Sequence, residues 1–142
     1  MSSVRLQIVE AIAAALATAT GLTVHRNLDY ALKANKLPAI ALMSGRDEPT
    51  GAGYVNHIEH IANITAVVLV AADGDPEAAA DPVECGIHAA LVAHFPTFGG
   101  HQLVSMARGQ CDWNFDLGDC AARELSYSFG FITTLASLES AA

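Results

Sequence analysis

The sequence predicts an α+β domain: a mainly antiparallel β-sheet with two helices packed on one face, in the order α-β-β-α-β-β. Three observations predict it. Val4, Ile8, Ile12 and Leu16 recur every fourth residue in an alanine-rich stretch, which draws one apolar stripe along a helix. Two long runs, His57 to Ala72 and Ala121 to Leu135, alternate at the period of a strand. Between them, a helical segment opens on Asp and Pro start signals. A sheet covered by helices on one side satisfies all three.

Ser3 can cap the first helix, expected over residues 4–19, and Gly21 supplies its left-handed stop. Leu22 to Arg26 reads as a short strand or extended lead-in, and Tyr30 to Ala34 as a turn of helix. From Ala39 to Ser44 a strand is expected, with Ile40 and Leu42 on one face and Ala41 and Met43 on the other. Arg46 to Asn56 holds Pro49, Gly51 and Gly53 and reads as a long loop. The strand from His57 to Ala72 ends apolar on both faces, so it needs cover on both sides; a second subunit is one source of that cover.

Asp75-Pro76 can start a helical turn, and Asp81 with Glu84 makes a second start signal. Pro82 would interrupt a helix running through. The main helix is therefore expected over 82–94, with Val83, Ile87, Leu91 and Phe95 inward. Gln102 to Ala107 and Gly109 to Asp116 read as one ribbon with a bulge, and Leu117 to Asp119 as a turn. In the last strand Leu125, Tyr127, Phe129 and Phe131 form a large face against the helices, opposite Ser126, Ser128 and Gly130. Residues 1–142 form one domain, with 136–142 expected to fray.

Composition bounds the function. With 52% hydrophobic and 15% charged residues the chain is not disordered. No run of 18 apolar residues is present, so no membrane span is expected, and the N-terminus makes a poor signal peptide. The net charge is −8, and all of it lies in residues 73–142, where Arg108 and Arg123 are the only basic residues. That balance argues against a general nucleic-acid binder. Cys85, Cys111 and Cys120 are an odd set without a CxxC pair, which reads as reduced thiols.

No constellation rises to a catalytic or metal site, and no cofactor is expected. His57, Glu59 and His60 read as polar residues at a strand end, because alternation splits the histidines between faces. Asp112, Asp116 and Asp119 lack the spacing of a calcium loop and read as an acidic turn. Cys85 and His88 are neighbours on a helix, a poor place for a nucleophile. Trp113 and Phe115 share a face of the ribbon, as core or as an interface.

The order of segments carries more than the chemistry. VRLQIVEAIAAAL leads to Arg26-Asn27, then LPAIALMSGRDEP, ITAVVLVAA, the helix DPEAAADPVECGIHAAL, Gly99-Gly100, a ribbon and RELSYSFGFITTL. Leu37-Pro38-Ala39 precedes the first strong strand, and the last ends in Thr133-Thr134. Over about residues 4 to 135 this resembles the tail terminator family of long-tailed phages, the lambda-type minor tail protein. Other head–tail connector or completion proteins share the architecture. The resemblance implies a structural, non-enzymatic protein of the virion tail, assembled in the host cytoplasm. It implies a homohexameric ring that caps the tail tube, stops tube-protein polymerisation and presents a surface to the head-completion protein. It further implies that DNA passes through the ring without specific binding. The family supplies no catalytic residues.

The interface residues expected here come from the sequence itself. They are Arg46, Asp47, Glu48, Tyr54 and Val55 in the long loop, and Trp113 and Phe115 in the ribbon. Asp112, Asp116 and Asp119 are expected to line the lumen and repel phosphate. A small ligand- or metal-binding domain is the alternative class.

Overall fold

A computed structural model describes residues 2–34, 37–49, 56–134 and 137–141. The chain runs α1 (Val4–Thr20), β1 (Val24–His25), α2 (Leu28–Ala34), β2 (Ala39–Pro49), β3 (His57–Ala71) and α3 (Pro76–His94). It continues through β4 (Thr97–Phe98), β5 (His101–Gln102), β6 (Ser105–Leu117), β7 (Cys120–Thr134) and β8 (Ser137–Ala141). The main sheet has the order β1-β2-β3-β7-β6, with β8 paired to β7. All its pairings are antiparallel except the short β1–β2 pair. The expected fold class is the observed one.

The core lies between α1, α3 and one face of the sheet. Val4, Ile8, Ile12 and Leu16 are at most 1% exposed, as the period-four stripe requires. Ser3 accepts a hydrogen bond from the Leu6 amide, and Gly21 closes the helix at φ 69°. Opposite them lie Ile40, Leu42, Ile64, Val68, Leu125, Tyr127, Phe129 and Phe131. The large face of the last strand therefore meets the helices, as expected.

Five features depart from the sequence reading. First, α3 starts at Pro76 and runs unbroken through Pro82. Asp75 caps it through the Ala78 amide at 3.1 Å, and Pro76 at the first turn needs no amide partner. Pro82 and Ala78 are both exposed, so water can take the carbonyl that Pro82 leaves free. Second, Phe95 is not on the inner stripe; it is the C-cap and is 40% exposed. Third, the second face of β3 is covered in part by α2. Ala31 is buried against Ala41, Val67, Leu69 and Ala122, with Leu28 and Leu117 at the margin. Cover from within the chain thus serves at Val67 and Leu69, while Ile61, Asn63 and Thr65 of the same face are not buried.

Fourth, β2 extends through Arg46 to Pro49, with a register shift between Ser44 and Asp47. The long loop expected from Arg46 is strand at its start, because β3 offers a ladder as far as His60. Fifth, residues 137–141 pair with the end of β7 at Thr133 and Thr134 instead of fraying. The ribbon bulge is where it was expected, as a register shift between Arg108 and Cys111.

The small β4–β5 hairpin turns on Gly99 and Gly100 and sits against α1. Gly99 has φ 60°, and a Cβ there would lie 3.1 Å from the Gln7 carbonyl oxygen and 3.2 Å from the Ala11 Cβ. Both backbone strain and contact oppose a side chain at that position. Gly99→Ala is expected to cost about 1–3 kcal/mol in a denaturation titration, whereas Gly100→Ala, with nothing within 4 Å of its Cβ, carries only the strain of its positive φ.

Candidate interaction surfaces

Seven of the ten acidic residues of the second half lie on the β3–α3 loop, the start of α3, and β6 with the β6–β7 turn. The Ala72 amide donates to the Asp119 carbonyl at 2.9 Å, which ties the β3–α3 loop to the β6–β7 turn. Asp73 and Asp75 in that loop, Glu77 and Asp81 on α3, and Asp112, Asp116 and Asp119 are all exposed. None of the seven forms a salt bridge among the described residues. The Asp112 carboxylate accepts from the Gln110 amide at 3.3 Å, and Asn114 accepts from the Asp116 backbone at 2.9 Å. The three expected lumen aspartates thus lie along one hairpin, Asp112 and Asp116 on β6 and Asp119 in the turn that follows it. Among the described residues no group of three or more His, Cys, Asp or Glu could hold a metal ion.

The two basic residues of this half are not on that surface as free charges. Glu84 of α3 accepts from Arg123 at 2.8 Å and from Arg108 at 2.6 Å, joining the helix to both strands of the ribbon. Hydrogen bonding to Arg123 holds the Glu84 carboxyl below its usual range, against burial and with help from Arg108. Both guanidinium pKa values are raised, through the Glu84 hydrogen bond first. The sequence reading gave Glu84 a capping role; α3 starts too early for that. The available signal was that Arg108 and Arg123 stand alone in an acidic half.

Trp113 and Phe115 do share a face of β6. Their rings stack at 5.3 Å and 7°. Trp113 is half-buried under the guanidinium of Arg123, 5.5 Å from the ring centre. Phe115 is 57% exposed, a large apolar surface for an edge strand to leave in water.

Arg46 and Glu48 pair with each other at 2.9 Å on the exposed second half of β2. Asp47 is drawn elsewhere, to His60 at 3.3 Å. Tyr54 and Val55 lie outside the described residues. His60 is 5% exposed, stacks on Phe131 at 4.8 Å, and its Nε2 lies 2.9 Å from the Thr133 hydroxyl. It is therefore not the solvated strand-end residue that alternation implied, because the far ends of β2 and β7 close over it. Nδ1 thus faces the Asp47 carboxylate and Nε2 the Thr133 hydroxyl. The connectivity copies an acid–base–hydroxyl triad, but Thr133 is 1% exposed and its oxygen meets no open space. The arrangement satisfies polar groups that join β2, β3 and β7.

His88 is likewise engaged, with Nδ1 3.1 Å from the Tyr127 hydroxyl, while burial raises the Tyr127 pKa. Both line an apolar groove of about 150 Å³ between α3 and β6, below the size of small-molecule sites. The three cysteines are free: Cys85 exposed, Cys111 half-buried, Cys120 buried. No helix among the described residues is long and apolar enough to cross a membrane.

No family model matches the sequence, and no curated protein matches it. Among solved structures, the chain is similar to one from the virion of a native gene transfer agent particle. The TM-score is 0.64 at 15% identity, over 92% of this chain and 98% of that one. The two share a fold over nearly their full lengths.

Proposed function

We propose that the chain is a structural protein of a phage or prophage particle, and within that class a tail terminator. It assembles as a ring, expected to be a hexamer, on the head-proximal end of the tail tube. The ring stops tube polymerisation and offers the head-completion protein its joining surface. The observation that carries this reading is the fold shared with a virion chain across 92% of the sequence. The segment order that resembles the terminator family narrows it. A role in assembly, not catalysis, also suits a molecule whose histidines His60 and His88 are spent on internal hydrogen bonds.

In this reading the β2 arm with Arg46, Asp47 and Glu48, together with Tyr54 and Val55 beyond it, meets the tube. The acidic end of the sheet faces the lumen, with Asp119 at its turn and Asp73 and Asp75 in the adjoining loop, while Asp112 and Asp116 lie on the β6 edge. A carboxylate wall repels phosphate and lets DNA slide. Asp119→Lys is therefore expected to leave tails of normal length but slow DNA release from the particle. Release at the wild-type rate would remove Asp119 from the lumen.

The test of the function is genetic. Particles made without this chain should carry overlong tube structures. Normal tails beside unjoined heads would instead assign the chain to head completion.

A further inference from the structure

The sheet has two unlike lateral edges. One is β6, thirteen residues long, none of them buried, carrying the Trp113–Phe115 stack between Asp112 and Asp116. Its two register shifts, at Arg108/Cys111 and Asn114/Leu117, break the regular row of backbone groups that another strand would need. A partner docking at this edge would therefore be met by side chains. The other edge is β1 with α2, four strand spacings away, or about 19 Å. There Arg26 and Lys33 are exposed and form no salt bridge among the described residues. Tyr30, 65% exposed, tilts against His25 beside them.

We infer that the β6 edge of one copy docks on the β1–α2 edge of the next, with Asp112 and Asp116 facing Arg26 and Lys33, and Phe115 meeting Tyr30. The occupant is a second copy because the two edges of the same chain carry opposite unpaired charge, Asp112 and Asp116 at one and Arg26 and Lys33 (beside Asp29) at the other, and each leaves one aromatic ring more than half exposed. Such a contact is heterologous, head to tail, and closes into a ring when the rotation per copy allows. It deepens the terminator reading by naming the surface that builds its ring.

Two double variants test it. Asp112→Lys with Asp116→Lys makes both edges basic; Arg26→Glu with Lys33→Glu makes both acidic. All four residues are exposed, so both proteins should keep the wild-type circular dichroism and melting temperature. Sedimentation of the wild-type chain over a concentration series should show association that weakens with salt. Each variant alone should associate at least tenfold more weakly. An equimolar mixture should recover wild-type association, because copies alternating around the ring then match at every junction. Association of either variant alone at wild-type strength overturns the inference, as does a mixture that fails to recover or a wild-type chain that stays monomeric. If the inference fails while particles lacking the chain still carry overlong tails, the terminator reading stands and only the docking surface is wrong.

Discussion

Phe129→Ala is expected to lower the unfolding free energy by about 3–5 kcal/mol, the largest loss from any single truncation considered. Phe129 is fully buried on β7, the strand flanked by β3 and β6. Its neighbours in register are Ala62 on one side and Met106 on the other, and its ring lies 5.8 Å from that of Phe131. Small Ala62 leaves room that only the ring fills, and neither paired strand can move in to close the void. Guanidinium unfolding followed by fluorescence and circular dichroism measures the loss. Phe115→Ala is the control on the same ribbon. Its ring is more than half exposed, so it should cost under about 1 kcal/mol while weakening association between copies. Equal losses at the two positions would contradict the core described above.

Glu84→Ala is expected to cost about 2–3 kcal/mol, because it leaves two guanidinium groups without their shared acceptor. The carboxylate is 18% exposed and Arg123 20% exposed, so solvent replaces the lost bonds only in part. The pH dependence follows from the direction of the shift. The folded pKa of Glu84 lies below its ordinary value of 4.5. Its contribution is fully present above 4.5 and is lost as pH falls through the folded pKa. The stability gap between wild type and Glu84→Gln should therefore be constant near neutral pH and narrow below about 4.5. A gap that stayed constant down to strongly acid pH would mean that Glu84 does not hold the ribbon to α3 through its charge.

Much of the fold was legible because local pattern and tertiary demand agree. The four-residue recurrence of Val4 to Leu16 and the alternation of Leu125 to Phe131 each describe one buried face, and the two faces meet. The misreadings arose where a distant partner outweighs a local rule. Pro82 is a helix breaker by itself, yet Asp75 and Pro76 start the helix six residues earlier and its exposed position tolerates the lost bond. Arg46 to Pro49 has loop composition, but the ladder with β3 extends through it. His60 reads as a surface residue until Thr133, 73 positions away, closes over it. Glu84 reads as a cap because its partners Arg108 and Arg123 are 24 and 39 positions distant. Trp113 and Phe115 are two apart on one strand, so their shared face is legible in the spacing. The opposed charges of the sheet's two edges depend on strand order, which spacing does not contain.

On the proposed function, this chain stops the growth of a tail tube. The direct measurement is the length distribution of tubes polymerised from the purified tube protein of the same particle, with and without a saturating amount of this chain, by negative-stain electron microscopy. Tubes grown with the chain should be shorter, carry a ring at one end and fail to elongate when more tube protein is added. Tubes of unchanged length that continue to elongate would contradict it.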